Sequence, residues 1–274
     1  MPRKSKPATH YRVFHGDCQD VIRLRATGPQ ADLAICDPPY NMGKKYAACD
    51  DAKPMDEYLT WLANRVARVK ECLKPTGAMW MMICDGLVSE VDIMCKTLGF
   101  VKRNHIIWYY TFGQHHTSNF TQSHTHLLYY TMSKRQHTCN MSAVAVPSAR
   151  QVKYNDKRAK SKGKSPDNTW ILFPEQLPQG FQPQEDTWLE SRVCGTFKAR
   201  RKHSPNQIPL PIMERIVLST SNPGDLVIDP FCGTGTAGEA CVIHKRSYVG
   251  MDVSKVCVEQ SLERIRAAGA EPIT

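Results

Sequence analysis

Seven short apolar or β-branched runs, at residues 11–15, 31–36, 78–84, 101–110, 125–131, 226–228 and 247–251, have the length and composition of buried strands. Helical spacing fills most of the intervals between them. Leu59, Leu62, Val66, Val69 and Leu73 recur on one helix face from Met55 until Lys74-Pro75-Thr76-Gly77 stops it, and Val88, Val91 and Met94 begin a second helix that ends at Gly99. Later helices are expected over Pro211–Ser219, after the glycine-rich turn near residue 235, and over Ser254–Ala268. No longer helix separates 101–110 from 125–131, so those two are expected to pair as an antiparallel hairpin at one end of the sheet, because a parallel crossover needs a dozen or more residues arranged as a helix. The chain opens on a strand ending in Gly16-Asp17 and closes on one strand and one helix after the glycine-rich turn. That order predicts an α/β, doubly wound, Rossmann-like sheet of seven strands whose chain is circularly permuted.

At 274 residues and 41% hydrophobic, the chain can bury a sizeable core, and its longest apolar stretches fall far short of the ~20 residues that a membrane span needs. Regular periodicity is lost after Lys134. Seven basic residues, Arg150, Lys153, Lys157, Arg158, Lys160, Lys162 and Lys164, accompany the single acid Asp156, and Pro166, Pro174, Pro178 and Pro183 follow. The chain therefore divides into residues 1–133, an insertion over 134–200, and residues 201–274. Thirty-six Lys and Arg against 26 Asp and Glu give +10, a surplus that favours a polyanionic partner such as nucleic acid. The 11 cysteines form no C-x-x-C pair and read as small buried hydrophobes of a reducing compartment. Met1 to His10 is basic and lacks an apolar core, so the expected location is cytoplasmic, with no membrane association.

Asp37-Pro38-Pro39-Tyr40 stands at the carboxyl end of an expected strand, where open α/β sheets bind ligands. An exocyclic aromatic amine is a poor nucleophile because its lone pair is delocalised into the ring. An enzyme that alkylates it must hold both N–H bonds and turn the lone pair outward. The Asp37 carboxylate and the Pro38 carbonyl can accept those bonds, Pro38 and Pro39 stiffen the turn without adding donors, and Tyr40 offers a face for stacking a base. A plain Pro-Pro turn capping a strand is the bland alternative.

Asp229-Pro230-Phe231-Cys232-Gly233-Thr234-Gly235-Thr236 lies between a strand and a helix. Its glycines permit close backbone approach to a ligand at the helix N-terminus, and Asp252 ends the next strand where a ribose would lie. Extension to Gly238 completes G-x-G-x-x-G, which also fits a dinucleotide site, although only one strand follows.

In this order the two motifs resemble the β class of amino-group DNA methyltransferases, over nearly the whole chain outside roughly residues 134–200. The resemblance implies S-adenosylmethionine as cofactor, double-stranded DNA as substrate, and a fold that matches the expected sheet. Residues 1–133 and 201–274 become the catalytic and cofactor-binding halves, and 134–200 the target-recognition region. It also implies that Phe231, Gly233 and Gly235, with Asp229, Thr234 and Thr236 of the same turn, embrace the cofactor's methionine part. Asp252 would hold its ribose, Asp17 and Cys18 its adenine, and Asp37, Pro38, Pro39 and Tyr40 the target base. Gln207 and Pro209 match the family's H-P-x-Q-K-P segment, which here carries an extra Ser204 and has Ile208 in place of lysine. Dimers occur in the family, and a homodimer is possible here.

The expected reaction is methylation of adenine N6 on a flipped-out base. N4 of cytosine is the alternative, since family members acting on cytosine more often carry serine at the position of Asp37. An NAD-dependent oxidoreductase would use the glycine motif and leave Asp37–Tyr40 unexplained, and a catalytically silent DNA-binding module would use only the charge. The basic run Arg150–Lys164 is expected to contact DNA phosphates, against a solvated surface loop as the alternative. His115, His116, His124 and His126 cluster around one loop, but their spacing fits no standard zinc set and methyl transfer needs no metal, so none is expected. That loop, Thr111 to Ser123, either borders the base pocket or touches nucleic acid, with a plain hairpin connection as the alternative. Trp170 and Trp188 read as core residues of the insertion.

Overall fold

A computed structural model describes residues 10–21, 30–44, 51–114, 117–152, 154–170, 207–269 and 271–272. All seven expected strands are present: β1 (His10–His15), β2 (Ala31–Cys36), β3 (Leu73–Ile83), β4 (Val101–Gln114), β5 (Gln122–Thr131), β7 (Leu226–Asp229) and β8 (Ser247–Asp252). Two two-residue strands, β6 (Thr169–Trp170) and β9 (Glu271–Pro272), extend the edges, so among the described residues the sheet has nine strands in the order β6-β4-β5-β3-β2-β7-β8-β1-β9. β5 runs antiparallel between β3 and β4, which places the expected hairpin near one end.

The helices follow the sequence periods closely. The longer ones among the described residues are α1 (Met55–Cys72), α2 (Val88–Thr97), α3 (Leu210–Thr220), α4 (Thr236–Ile243) and α5 (Lys255–Ala267), and a single turn of helix spans Ala149–Val152. In α1, Tyr58, Leu62, Val66 and Val69 are buried at spacings of three and four, and Asp56 and Glu57 sit in the first turn where the helix dipole favours them. Ser254 caps α5 by accepting from the Cys257 amide. One boundary differs from expectation: β3 begins at Leu73, and Lys74 to Gly77, expected as a turn, form a bulge inside it. Leu73 pairs with Ala31, and register resumes at Ala78 opposite Leu33.

The centre of the sheet positions the site. β2 and β7 are parallel neighbours, with Leu33 opposite Val227 and Ala34 opposite Ile228. From β2 the chain crosses through α1 to β3 on one side, and from β7 through α4 to β8 on the other. Right-handed crossovers in opposite directions put their helices on opposite faces and open a crevice at the carboxyl ends of β2 and β7. The core on both sides is apolar, and Leu33, Ala34, Ile35, Met81 and Val227 are fully buried.

Residues 134–170, the described part of the expected insertion, are stitched to the sheet domain. The Asn140 amide donates to the Ser219 carbonyl at 2.7 Å and its side chain reaches Ser221 and Asn222 beside α3, while β6 pairs with β4. Trp170 is thus a strand residue opposite Trp108, and Trp188 lies outside the described residues.

At the far, amino end of the β2–β7 pair, the Asp32 carboxylate accepts from the Leu226 amide at 3.0 Å and from Lys74 Nζ at 2.6 Å. Asp32→Ala should remove hydrogen bonds of the charged kind, each about 1.5–3 kcal/mol, offset in part by relief of the repulsion Asp32 exerts on Asp225. The expected outcome is a lower urea midpoint with turnover preserved. An unchanged midpoint would show that this clamp contributes nothing.

Candidate active site

Because β2 and β7 lie side by side, Asp37 and Asp229, 192 positions apart in the chain, leave adjacent strand ends. Asp37, Gln207, Ile208, Asp229, Phe231, Gly233, Thr234 and Thr236 line one cleft. A second, open cavity of roughly 360 Å³ is lined by Tyr40, Met42, Lys44, Trp108, Tyr110, Gln122, His124 and, again, Gln207 and Ile208. The Asp37–Tyr40 turn stands between the two.

Within that turn the Tyr40 hydroxyl donates to Asp37 Oδ1 at 2.8 Å, and the Tyr58 hydroxyl donates to the Pro39 carbonyl at 2.8 Å. Among the described residues, Asp37 Oδ2 and the Pro38 carbonyl receive no donor. The loop that follows is fixed by a residue the sequence reading missed: Asp51, 4% exposed, accepts from the amides of Asn41, Met42 and Lys44 at 2.7, 3.1 and 2.9 Å. Trp108 and Tyr110, two apart on β4, present their rings to the cavity edge to face, 5.2 Å apart. Their period-two spacing in Ile-Ile-Trp-Tyr-Tyr was the available signal, but only the sheet register shows which face they occupy.

The glycine turn is equally specific. Gly235 has φ +80°, and a Cβ there would lie 2.4 Å from Ser261 Oγ on α5, so both backbone and packing demand glycine. At Gly233, φ +48°, a Cβ would meet nothing within 4 Å: that position faces open space, and its amide donates to Asp252 Oδ2 at 2.9 Å. Asp252 Oδ1 accepts from the Ser254 amide at 2.8 Å.

Asp17 and Cys18 reach the same edge because β1 pairs with β8, His15 opposite Asp252. The Asp17 carboxylate is ion-paired with Arg65 of α1, whose guanidinium lies 4.3 Å from the centre of the Trp61 ring. Trp61 in turn packs on Phe231 at 5.8 Å. Arg65 and Trp61 went unnoticed in the sequence because an amphipathic helix accounts for them equally well. Thr236 lines the cleft, yet its hydroxyl is engaged by Arg264 at 2.8 Å, which ties α4 to α5. Cys18 is buried, and burial pushes its thiol up to about 12.

None of the basic run's described residues lines either cavity. Arg158 makes two 3.0 Å bonds to Asp156, with Arg150 Nε 3.9 Å from the same carboxylate, and Lys164 pairs with Asp167 at 2.8 Å. Lys157, Lys160 and Lys162 are exposed, with no carboxylate in ion-pair reach among the described residues. Lys153, His115 and His116 lie outside the described residues.

A profile of the DNA methylase family that comprises N6 and N4 methyltransferases matches residues 31–263, spanning both motifs. The chain belongs to that family. It is 32% identical to the type II methyltransferase M.HpaI of Haemophilus parainfluenzae over 85% of its own length and 68% of the relative's. It is 26% identical to the DNA adenine methyltransferase YhdJ of Escherichia coli K12, over 93% of this chain and 83% of YhdJ. Two solved structures share the fold. The M1.HpyAVI–SAM complex superposes with a TM-score of 0.63 at 20% identity, covering 93% of this chain and 98% of its own. The cytosine-N4-specific PvuII DNA methyltransferase gives 0.68 at 16% identity, over 95% and 89%.

For a DNA methylase the electrostatics of the crevice are apt. Burial pushes the carboxyls of Asp37 and Asp229 up to about 7, with the Asp37 charge adding to the shift at Asp229, and burial raises Asp252 as well. Neutral donors hold all three, and none has a Lys or Arg ion-pair partner among the described residues. Only the ionised form of Asp37 can accept an amine N–H on either oxygen. In the free enzyme kcat/KM should therefore climb with pH and level off above about 7, because proton loss creates the acceptor. Asp37→Asn, which does not titrate, should flatten that limb in a pH–rate profile. A limb that survives unchanged in Asp37→Asn would show that another group, such as Asp229 or Asp252, is its source.

Proposed function

We propose that this DNA methylase transfers a methyl group from S-adenosylmethionine to the N6 amine of an adenine flipped out of double-stranded DNA. The observation that carries the reading is the Asp37–Tyr40 turn standing between two cavities, with Asp37 Oδ2 and the Pro38 carbonyl open to a donor. Asp37, Asp229 and Asp252 suit a cationic ligand, and the empty space beside Gly233 suits its close approach. Phe231, Gly233, Thr234 and Gln207 would hold the cofactor, with Asp252 at its ribose and Asp17 and Cys18 toward its adenine. When bound, the cofactor supplies an electrophilic methyl on a cationic sulfur.

The chain's own residues prepare the nucleophile. Asp37 Oδ2 and the Pro38 carbonyl accept the two amine hydrogens, which draws the nitrogen out of conjugation and turns its lone pair toward the cleft. Tyr40 stacks on the base, and its hydroxyl bond to Asp37 fixes the carboxylate's rotation. Trp108 and Tyr110 would give the base an aromatic wall in the cavity they line.

Asp at position 37 favours adenine over cytosine, and the relative YhdJ is an adenine methyltransferase by name. Cytosine N4 is the second reading, favoured by the fold shared with the cytosine-N4-specific PvuII enzyme. Incubation with unmethylated genomic DNA followed by nucleoside mass spectrometry should yield N6-methyladenine. N4-methylcytosine would transfer the assignment to the second reading, and neither product would overturn both.

Residues 134–200 are proposed as the target-recognition region, with its basic run on DNA phosphates. The ion pairs within the run concentrate this role on Lys157, Lys160 and Lys162. Each phosphate contact steepens the log–log salt dependence of binding by roughly 0.9. Replacing all three by alanine should weaken binding to every sequence alike and flatten that slope by up to about 2.7, as fluorescence anisotropy across a salt series would measure. An unchanged slope returns the segment to solvent.

A further inference from the structure

At the rim of the base cavity, Asp85, His124 and His126 converge from two elements. His124 and His126 are two apart on β5 and so project from the same face, while Asp85 begins the short turn Asp85–Leu87 that follows β3. His126 Nε2 lies 3.1 Å from Asp85 Oδ1 and 3.2 Å from His124 Nε2, and His124 Nε2 lies 3.6 Å from the same Asp85 oxygen. An ion bonded at about 2.0–2.1 Å to three corners of a tetrahedron requires those corners roughly 3.3–3.4 Å apart. The three observed edges bracket that value.

The far side of His126 is anchored by a hydrogen bond, as metal-bound imidazoles are, although the partner here is an imidazole rather than a carboxylate, carbonyl or water. Its Nδ1 meets His105 Nε2 of β4 at 2.6 Å. With the ring proton on Nδ1, directed at His105, Nε2 presents a lone pair to a carboxylate and a second imidazole, an arrangement that a dication at the centre of the triangle satisfies. A proton shared among the three atoms can form one well-aligned bond there, whereas a metal accepts from all three. His126 is 5% exposed and forms the floor, and Asp85 and His124 open on the cavity.

We propose that Asp85, His124 and His126 bind one divalent late transition ion of the Zn²⁺ type, with His105 orienting His126 and the fourth coordination position open to the base cavity. Two nitrogens and one carboxylate oxygen suit Zn²⁺ over the hard, oxygen-seeking Mg²⁺ and Ca²⁺. The ion would tie β5 to the turn after β3 at the cavity wall, next to the point where the Tyr110 hydroxyl holds the His124 carbonyl at 3.0 Å. The inference stands on this geometry alone and does not depend on which base is methylated.

The full-length protein, stripped with chelator and dialysed, should take up one equivalent of Zn²⁺ in competition with a fluorescent indicator. Thermal melting should shift upward with Zn²⁺ and not with Mg²⁺, and Co²⁺ should give the visible bands of a four-coordinate ion. His124→Ala and Asp85→Asn change partly exposed residues and should each weaken Zn²⁺ binding at least tenfold and remove the melting shift. Cys139→Ser, at an exposed thiol away from the cluster, should bind as the unaltered protein does. Absence of stoichiometric binding, or binding undiminished in both His124→Ala and Asp85→Asn, would overturn the proposal. Both readouts are independent of methylation.

Discussion

The parallel pairing of β2 with β7 is the constraint on which the rest of the site depends. Each strand ends in a turn whose residue chemistry is distinctive, yet neither turn makes a site alone. Pairing puts Asp37 beside Asp229 and fixes the crevice at the point where crossovers diverge to opposite faces. The strands are held in register by fully buried Leu33, Ala34 and Val227, so the relative position of the two turns is set by core packing rather than by flexible loops. A site of this kind can be stiff because its supports are the most buried atoms in the molecule.

That stiffness has an electrostatic cost. Asp37, Asp229 and Asp252 are taken partly or wholly out of water, hydrogen-bonded by neutral donors, and burial outweighs the opposing pull of Lys44 on Asp37 and of His15 on Asp252, which raises the energy of their ionised forms. By contrast, Asp17 at the same edge is neutralised by Arg65. The three without a cation partner converge on the cleft beside the open face of Gly233. A fold that retains such a group is poised for a positively charged ligand, whose arrival would lower all three carboxyls together.

Much of this was legible in the sequence. The seven principal strands, the hairpin and most of the main helices followed from hydrophobic period, since residues that must face a common core recur at the spacing of the element that carries them, whereas α4, buried nearly all round, was placed by the glycine turn before it. The two motif turns were legible because their requirements are local: prolines that remove donors, and glycines that tolerate positive φ. Less visible were residues whose role depends on a distant partner. Asp51, Trp61, Arg65, Trp108 and Tyr110 read as ordinary loop, helix or strand residues until packing brings them to the crevice. In the basic run, Arg158 and Lys164 looked the same as Lys157, Lys160 and Lys162, and only the folded chain separates the ion-paired residues from the unpaired ones.

The histidines mark the same boundary. His124 and His126 were visible as a pair, but a ligand set is a property of distances, and Asp85 lies 39 residues before His124 on another element. By itself the sequence determined the class of fold, the order of its elements, and the two turns whose chemistry points to methylation of a base amine, because each is encoded by neighbours along the chain. Tertiary structure decided which turns face one another, which aromatic rings line the cavity, which lysines meet no carboxylate among the described residues, and which carboxylate joins the two imidazoles. Those depend on strand register and crossover hand, which join residues that the chain keeps far apart.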